Sequence, residues 1–303
     1  MYGGTEMGWE NYQVMTSVKE TLQWLTQGPG QARVVAGGTD LMVQIREREG
    51  IEGIVTLLDV TQIDEMRGIR EAEGYLFVGA ATTISEIVSS ELIQKKARAL
   101  VQGGRSLGSP QIRNVATIGG NVVNAQPAAD TSVPLIALGA KAKIVSSEGE
   151  RNVPVEDLFR GVGISAIDPC REILTHFRIP ISDGLKSASA MERLARRKAF
   201  TLPSLSVAVW IELDDKGDHF SQVRIVAAPV GPVPWRATRA EQTLKNAAIT
   251  KANVSKAAAI AREDASPRDS LRGGAAYRKD MVEILSRRAF VDALSQLNRE
   301  RYD

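Results

Sequence analysis

The sequence predicts a mixed α+β chain of two domains, and three observations carry that expectation. Within residues 33–45 a short apolar strand runs through a glycine turn directly into a helical pattern. Leu205, Val207, Val209, Ile211 and Leu213 alternate with other residues, the period of a strand. Beyond residue 236 the pattern is helical throughout. A length of 303 residues suffices for two domains of ordinary size.

The elements follow in order. Ser17 with Glu20 three residues later has the form of a capping box. Val18, Leu22 and Leu25 then recur at helical spacing until Gly28-Pro29-Gly30 breaks it. Residues 33–36 read as a strand ending in Gly37-Gly38-Thr39-Asp40, after which Leu41, Met42 and Ile45 resume a helical period. Strands are expected over 54–60 and 75–79, and Thr82 or Thr83 is placed to cap a helix that buries Ile84, Ile87 and Val88. Residues 103–127, rich in Gly, Ser, Asn and Pro, read as one long irregular segment, and such segments are usually functional. Asp130 or Thr131 would cap a short helix through Leu138, and 141–147 alternates like a strand.

Past Pro180 the character changes, and the domain boundary falls within 180–187, dividing 1–182 from 183–303. The strand beginning at Leu205 turns at Asp214-Asp215-Lys216-Gly217 and returns over 223–227. Helices are expected over 236–247 and 252–262, then a long one with Tyr277, Met281, Ile284 and Leu285 on one face.

Composition narrows the function classes. With 43% hydrophobic and 24% charged residues the chain has the mix of a folded globular protein rather than a disordered one. Its net charge of +2 is spread along the sequence, which asks for neither nucleic acid nor an anionic membrane. The one cysteine, Cys170, excludes an internal disulfide and an all-cysteine iron–sulfur cluster held by this chain alone. His176 and His219 are far apart and lack cysteine neighbours, which disfavours structural zinc. Residues 1–12 show no signal-peptide pattern, and no stretch approaches the roughly 20 apolar residues of a membrane helix. A cytoplasmic protein is expected.

Two segments share a motif: Ala36-Gly37-Gly38-Thr39-Asp40 and Thr117-Ile118-Gly119-Gly120-Asn121. Paired glycines permit positive φ and close approach of backbone to a ligand. Consecutive amides in such turns can form a concave nest for an anion, and two nests suit a pyrophosphate gripped from two sides. Thr39 and Asn121 could add neutral hydrogen bonds, whereas Asp40 would repel a phosphate and is expected to cap the next helix. A single glycine pair is a turn first. Gly161 to Ala166 matches GxGxxG/A by letters, but no strand precedes it and Ile167-Asp168-Pro169 stops any helix, so it is no dinucleotide fingerprint. No constellation for acid–base or nucleophilic catalysis stands out.

The longer context of these motifs resembles a known family. Val35 through Val43 is similar to the first FAD-pyrophosphate motif of the medium subunits of xanthine and carbon monoxide dehydrogenases, and Gly108 through Asn121, continuing to Asp130, is similar to the second. Glu172-Ile173-Leu174 with Ile179-Pro180, Gly231 through Ala237, and Asp269 through Gly273 with Ala276-Tyr277-Arg278 resemble later landmarks, so the likeness spans nearly the whole chain. One departure is Thr201, which follows Arg196-Arg197-Lys198-Ala199-Phe200 where the family often places Asp.

The resemblance implies a two-subdomain FAD-binding domain of the vanillyl-alcohol oxidase and p-cresol methylhydroxylase type (subdomains about 1–60 and 61–182), followed by a smaller α/β domain over 183–303. Val35, Ala36, Gly37, Gly38, Thr39, Asp40 and Leu41, with Thr117, Ile118, Gly119, Gly120 and Asn121, would line the cofactor, with Thr39 near the flavin ring. Asp130 would accept from ribityl hydroxyls or, alternatively, cap a helix. Leu174 would pack on the isoalloxazine or be a core leucine. A side chain at Gly119 would close the backbone approach.

For function, the resemblance implies a FAD-binding electron-transfer subunit of a molybdenum-containing hydroxylase. Molybdenum cofactor and [2Fe–2S] clusters would reside in a large and a small partner subunit. Electrons would arrive singly from the clusters and leave as a pair, to an acceptor such as NAD⁺. The alternatives are a self-sufficient FAD-dependent oxidoreductase of the same fold, a phosphate-binding module without redox turnover, and a scaffold that has lost its cofactor.

Overall fold

The computed structural model describes residues 9–28, 30–47, 53–181, 186–197, 201–270 and 273–298. Pro29, Lys198, Ala199, Phe200, Leu271 and Arg272, all of which enter the sequence reading, lie outside the described residues.

The N-terminal part opens with a three-stranded parallel sheet in which Thr56–Asp59 lies between Asn11–Val14 and Ala32–Val35. Parallel strands need crossovers, and helices Val18–Gln27 and Leu41–Glu47 provide them. Alternation along the strands sends Leu58 and Ala32 to the main core with Leu22 and Leu25, and Leu57 and Val35 to a small cluster with Ile45. Ser17 Oγ accepts from Glu20 N at 3.2 Å, so the expected cap forms, although the Glu20 carboxylate takes the neighbouring Thr16 hydroxyl.

A five-stranded antiparallel sheet follows, in the order Ile69–Ala72, Tyr75–Gly79, Glu172–Pro180, Lys141–Ser146 and Gly149–Pro154. Between its second and third strands in sequence lie six short helices, from Ile84–Ser89 to Ser132–Ala137. Their apolar faces pack on Leu76, Val78, Ile144 and Phe177 of the sheet in one core. Thr83, rather than Thr82, caps the first of them in a full capping box with Glu86.

Residues 103–127 are not irregular. They hold the end of Arg98–Ser106 and the helices Pro110–Val115 and Ile118–Val123, capped by Ser109 and Thr117 through their hydroxyls. Helices of six residues complete fewer than two turns, too short for a 3.6-residue period to show in the sequence. The helix Ser132–Ala137 also differs from expectation, because neither Asp130 nor Thr131 gives it a side-chain cap.

The C-terminal part is a four-stranded antiparallel sheet, Ser187–Leu194, Leu205–Leu213, Phe220–Ala228 and Trp235–Arg236, covered by helices Thr238–Leu244, Lys251–Asp264 and Ala275–Ser295. The alternation read along Leu205–Leu213 has a meaning the sequence did not disclose. Val207, Val209 and Ile211 face the C-terminal helices, while Ala208 and Trp210 join the core of the N-terminal part. Both faces of this strand are buried.

The face assigned to the last helix is corrected in part. Leu285 is buried and Met281 packs against the core, but Tyr277 and Ile284 are exposed, and the buried stripe runs through Arg278, Val282, Leu285, Ser286, Ala289, Phe290, Ala293 and Leu294. Two polar residues on that stripe disguised it. Arg278 is accommodated there because its guanidinium donates to the Arg268 carbonyl and the Ser270 hydroxyl.

Candidate functional site

A cleft of about 720 Å³ opens at the carboxyl end of strand Ala32–Val35. Ligands of parallel sheets gather at that edge, where turns and helix starts leave main-chain groups unpaired. The turn 36–40 forms one wall and the segment 116–121 the facing one. Gly37 is where they touch, since a Cβ there would stand 2.0 Å from the Val115 carbonyl oxygen. Its glycine is demanded by packing between the two motifs rather than by a ligand.

The two glycine segments are not equivalent. In the first, Gly38 has φ +66°. Among the described residues, the amides of Gly37, Gly38, Thr39 and Asp40 donate to no protein acceptor. Those four residues line the cleft, and unpaired amides beside a cleft are what an anion-binding turn offers. The Asp40 carbonyl, and not its carboxylate, accepts from Val43 and Gln44, so the expected side-chain cap is absent.

In the second segment the amides are already used. Ile118 N donates to Thr82 O at 3.0 Å, Gly119 N to Ala80 O at 2.8 Å, and Gly120 N to Thr117 Oγ1 at 3.2 Å. This segment lines the cleft with Ala116, Thr117, Gly120 and Asn121. Asn121 Oδ1 accepts from the Thr131 hydroxyl at 2.5 Å and from its amide at 3.2 Å. That pairing fixes the side chain and leaves its NH₂ as a donor.

Val35, Ala36, Gly37, Gly38, Thr39, Asp40, Leu41, Thr117, Gly120, Asn121 and Asp130 all line the cleft. Ile118, Gly119 and Leu174 do not. Ile118 is fully buried, and a Cβ on Gly119 would meet the Ala80 Cβ and carbonyl oxygen, both at 2.7 Å. Leu174 belongs to the main core, in the strand Glu172–Pro180.

Asp130 is the most constrained of the set. It is 7% exposed, and its Oδ1 accepts from Arg193 Nε at 3.0 Å and Ser106 Oγ at 3.2 Å. Burial pushes its carboxyl above the usual range, while the guanidinium and the hydroxyl pull the other way. Among the described residues Oδ2 has no hydrogen-bond partner.

Sequence reasoning missed Arg33 and the segment 163–165, and it had marked Thr201 only as a departure from the family pattern. Arg33 lines the cleft as a half-buried cation that burial pulls below the usual guanidinium value, and among the described residues no carboxylate pairs with it. It belongs to the strand read over 33–36, where no motif singles it out. Gly163, Ile164 and Ser165 also line the cleft, held there as Gly163 N donates to Ala125 O at 3.0 Å. They fall inside the GxGxxG look-alike, which is a small hairpin and not a strand–helix turn. Thr201 and Leu202 complete the wall.

Residues 6–182 match the pattern of the FAD binding domain in molybdopterin dehydrogenase, and residues 191–293 that of the CO dehydrogenase flavoprotein C-terminal domain. The chain belongs to this FAD-binding subunit family. It is 30% identical over 286 residues to the xanthine dehydrogenase FAD-binding subunit of Escherichia coli O157:H7, covering 94% of this chain and 96% of that one. It is 29% identical to the carbon monoxide dehydrogenase medium chain of Hydrogenophaga pseudoflava, over 92% of this chain and 94% of that one. Among solved structures, carbon monoxide dehydrogenase from the same organism, in a form lacking the Mo-pyranopterin moiety of its cofactor, superposes with a TM-score of 0.87 at 29% identity, over 96% of this chain and 99% of that chain.

The residues of this FAD-binding subunit suit the cofactor its family is defined by. The volume lies within the roughly 300–1,000 Å³ of small-molecule sites. Amides without a protein acceptor and an arginine without a carboxylate partner answer a diphosphate, and the free Oδ2 of Asp130 with a fixed amide NH₂ answers hydroxyl and carbonyl groups. Among the described residues, no helix is long and apolar enough to cross a membrane.

Proposed function

We propose that this chain is the electron-transfer subunit of a molybdenum-containing hydroxylase. It would receive electrons from [2Fe–2S] clusters of a small partner subunit and deliver them to an acceptor such as NAD⁺, while substrate is hydroxylated at a molybdenum cofactor in a large subunit. Membership in the FAD-binding subunit family and similarity to medium chains over nearly the full length support this reading. The single observation that carries the site is the turn 36–40, which lines the cleft and leaves the amides of Gly37 through Asp40 without a protein acceptor among the described residues.

Bound FAD supplies the redox chemistry, accepting single electrons and releasing a pair. The protein binds and orients it. The amides of Gly37 through Asp40 and the Arg33 guanidinium would hold its diphosphate, Gly120 would leave room for it, and Asn121 would donate to it. Asp130 Oδ2 would accept from its ribityl hydroxyls, and Thr39 would serve the flavin end. The same reading takes 1–182 as a cofactor domain of the vanillyl-alcohol oxidase type, with parts at about 1–60 and 61–182, and 183–303 as a second domain. The separate parallel and antiparallel sheets support it. It also assigns the cytoplasm, since a chain with one cysteine depends on no internal disulfide.

Purification with native partners tests the proposal. Flavin absorption bands, molybdenum and iron in the complex, and flavin reduction by substrate that is reversed by NAD⁺ are the expected results. A chain isolated alone that oxidises substrate at its own flavin would establish the self-sufficient oxidoreductase instead.

A further inference from the structure

Helix Arg98–Ser106 lies along the strand Ser187–Leu194, the edge of the C-terminal sheet, and the two are tied at regular steps. Ala99 N donates to Ser189 Oγ at 3.2 Å, and Met191 N donates to Gln102 Oε1 at 2.7 Å. The next step on each element is Ser106 and Arg193, and both donate to the same atom, Asp130 Oδ1. Positions 99, 102 and 106 share one helix face, and 189, 191 and 193 share one strand face, so this row runs straight into the cleft.

Arg193 makes a second contact. Its Nη2 donates to the Thr201 carbonyl, and Thr201 with Leu202 forms the cleft wall on that side. The ion pair with Asp130 is secluded, with side-chain exposures of 12% and 9%. A carboxylate this buried needs a fixed cation, and only a planar guanidinium sends rigid donors toward a carboxylate and a carbonyl at once.

We propose that Arg193 is the positioning residue through which the C-terminal sheet shapes the cofactor cleft. By taking Asp130 Oδ1 it presents Oδ2 to the ligand, and by holding the Thr201 carbonyl it fixes the wall that Thr201 and Leu202 form. Cofactor retention is thereby coupled to docking of the C-terminal sheet. This rests on the flavin reading of the cleft.

The test uses the full chain freed of flavin. FAD is titrated into wild type, Arg193→Met, Arg193→Lys, Asp130→Asn and the Arg193→Met/Asp130→Asn pair, and thermal unfolding without FAD is recorded for each. Arg193→Met is expected to weaken FAD binding at least about tenfold, the loss of a charge-assisted contact. Arg193→Lys keeps the buried cation but not the Thr201 tie, so its affinity should fall between those of wild type and Arg193→Met. With Asp130→Asn already present, Arg193→Met should cost less than about threefold more, because coupled residues are not additive. FAD binding by Arg193→Met equal to wild type, or an equal loss in both backgrounds, overturns the inference. Wild-type affinity in Arg193→Lys overturns the Thr201 half of it. A wild-type chain that binds no FAD overturns the flavin reading, and this inference with it.

Discussion

Gly119 and Gly120 are neighbours in one motif, yet the structure gives them opposite duties. A side chain at Gly119 collides with Ala80, whereas one at Gly120 meets only Thr117 Oγ1, at 3.1 Å, and otherwise enters the cleft. Gly119→Val should therefore strike folding, with a large drop in melting temperature whether or not flavin is added. Letters alone could not separate the two, because the Ala80 contact joins residues distant in sequence. Arg33 was hidden for a related reason, since burial and the lack of a carboxylate partner among the described residues are tertiary facts. We expect Arg33→Met to weaken FAD roughly tenfold while leaving the flavin-free melting temperature within a few degrees. An unchanged dissociation constant would remove Arg33 from the site.

Among the elements, the strand–turn–helix around residues 33–45 was legible because each part carries its own local signal, and it delivers the free amides. The helices Pro110–Val115 and Ile118–Val123 were not, since short capped turns owe their shape to their caps. One of those caps registers the second motif. Ile84 N donates to Ala116 O and Ile118 N to Thr82 O, either side of a bridge between Thr83 and Thr117. Thr83→Ala removes the capping hydroxyl and should cost about 1 kcal/mol in chemical denaturation. On the five-stranded sheet, burial and the nearby Lys143, Arg70 and Arg178 lower the pKa of His176 below 6.5. The unfolded chain then binds a proton that the folded chain does not, so stability falls as pH drops from 6.5 through the folded value. His176→Gln should flatten that loss in denaturation curves between pH 7 and 5, and an unchanged pH dependence would contradict the sign.

The whole molecule is held by a sheet buried on both sides. Trp210, with Arg224 4.7 Å above its ring, packs into the N-terminal core together with Met191, Ala208 and Val226. Such an apolar seam predicts one cooperative unfolding transition in calorimetry, and Trp210→Ala, costing about 3–5 kcal/mol, should split it in two. The two-domain character was readable in the change of pattern after Pro180. The seam was not, because alternation announces one buried face and says nothing of the other. Bound flavin should raise the transition in proportion to the logarithm of its concentration over its dissociation constant. The most direct measurement is the flavin stoichiometry of Gly120→Val beside wild type, read by absorption after gel filtration with excess FAD. The account predicts about one FAD per wild-type chain and almost none in Gly120→Val, at closely similar flavin-free melting temperatures. Stoichiometric flavin in Gly120→Val would contradict it.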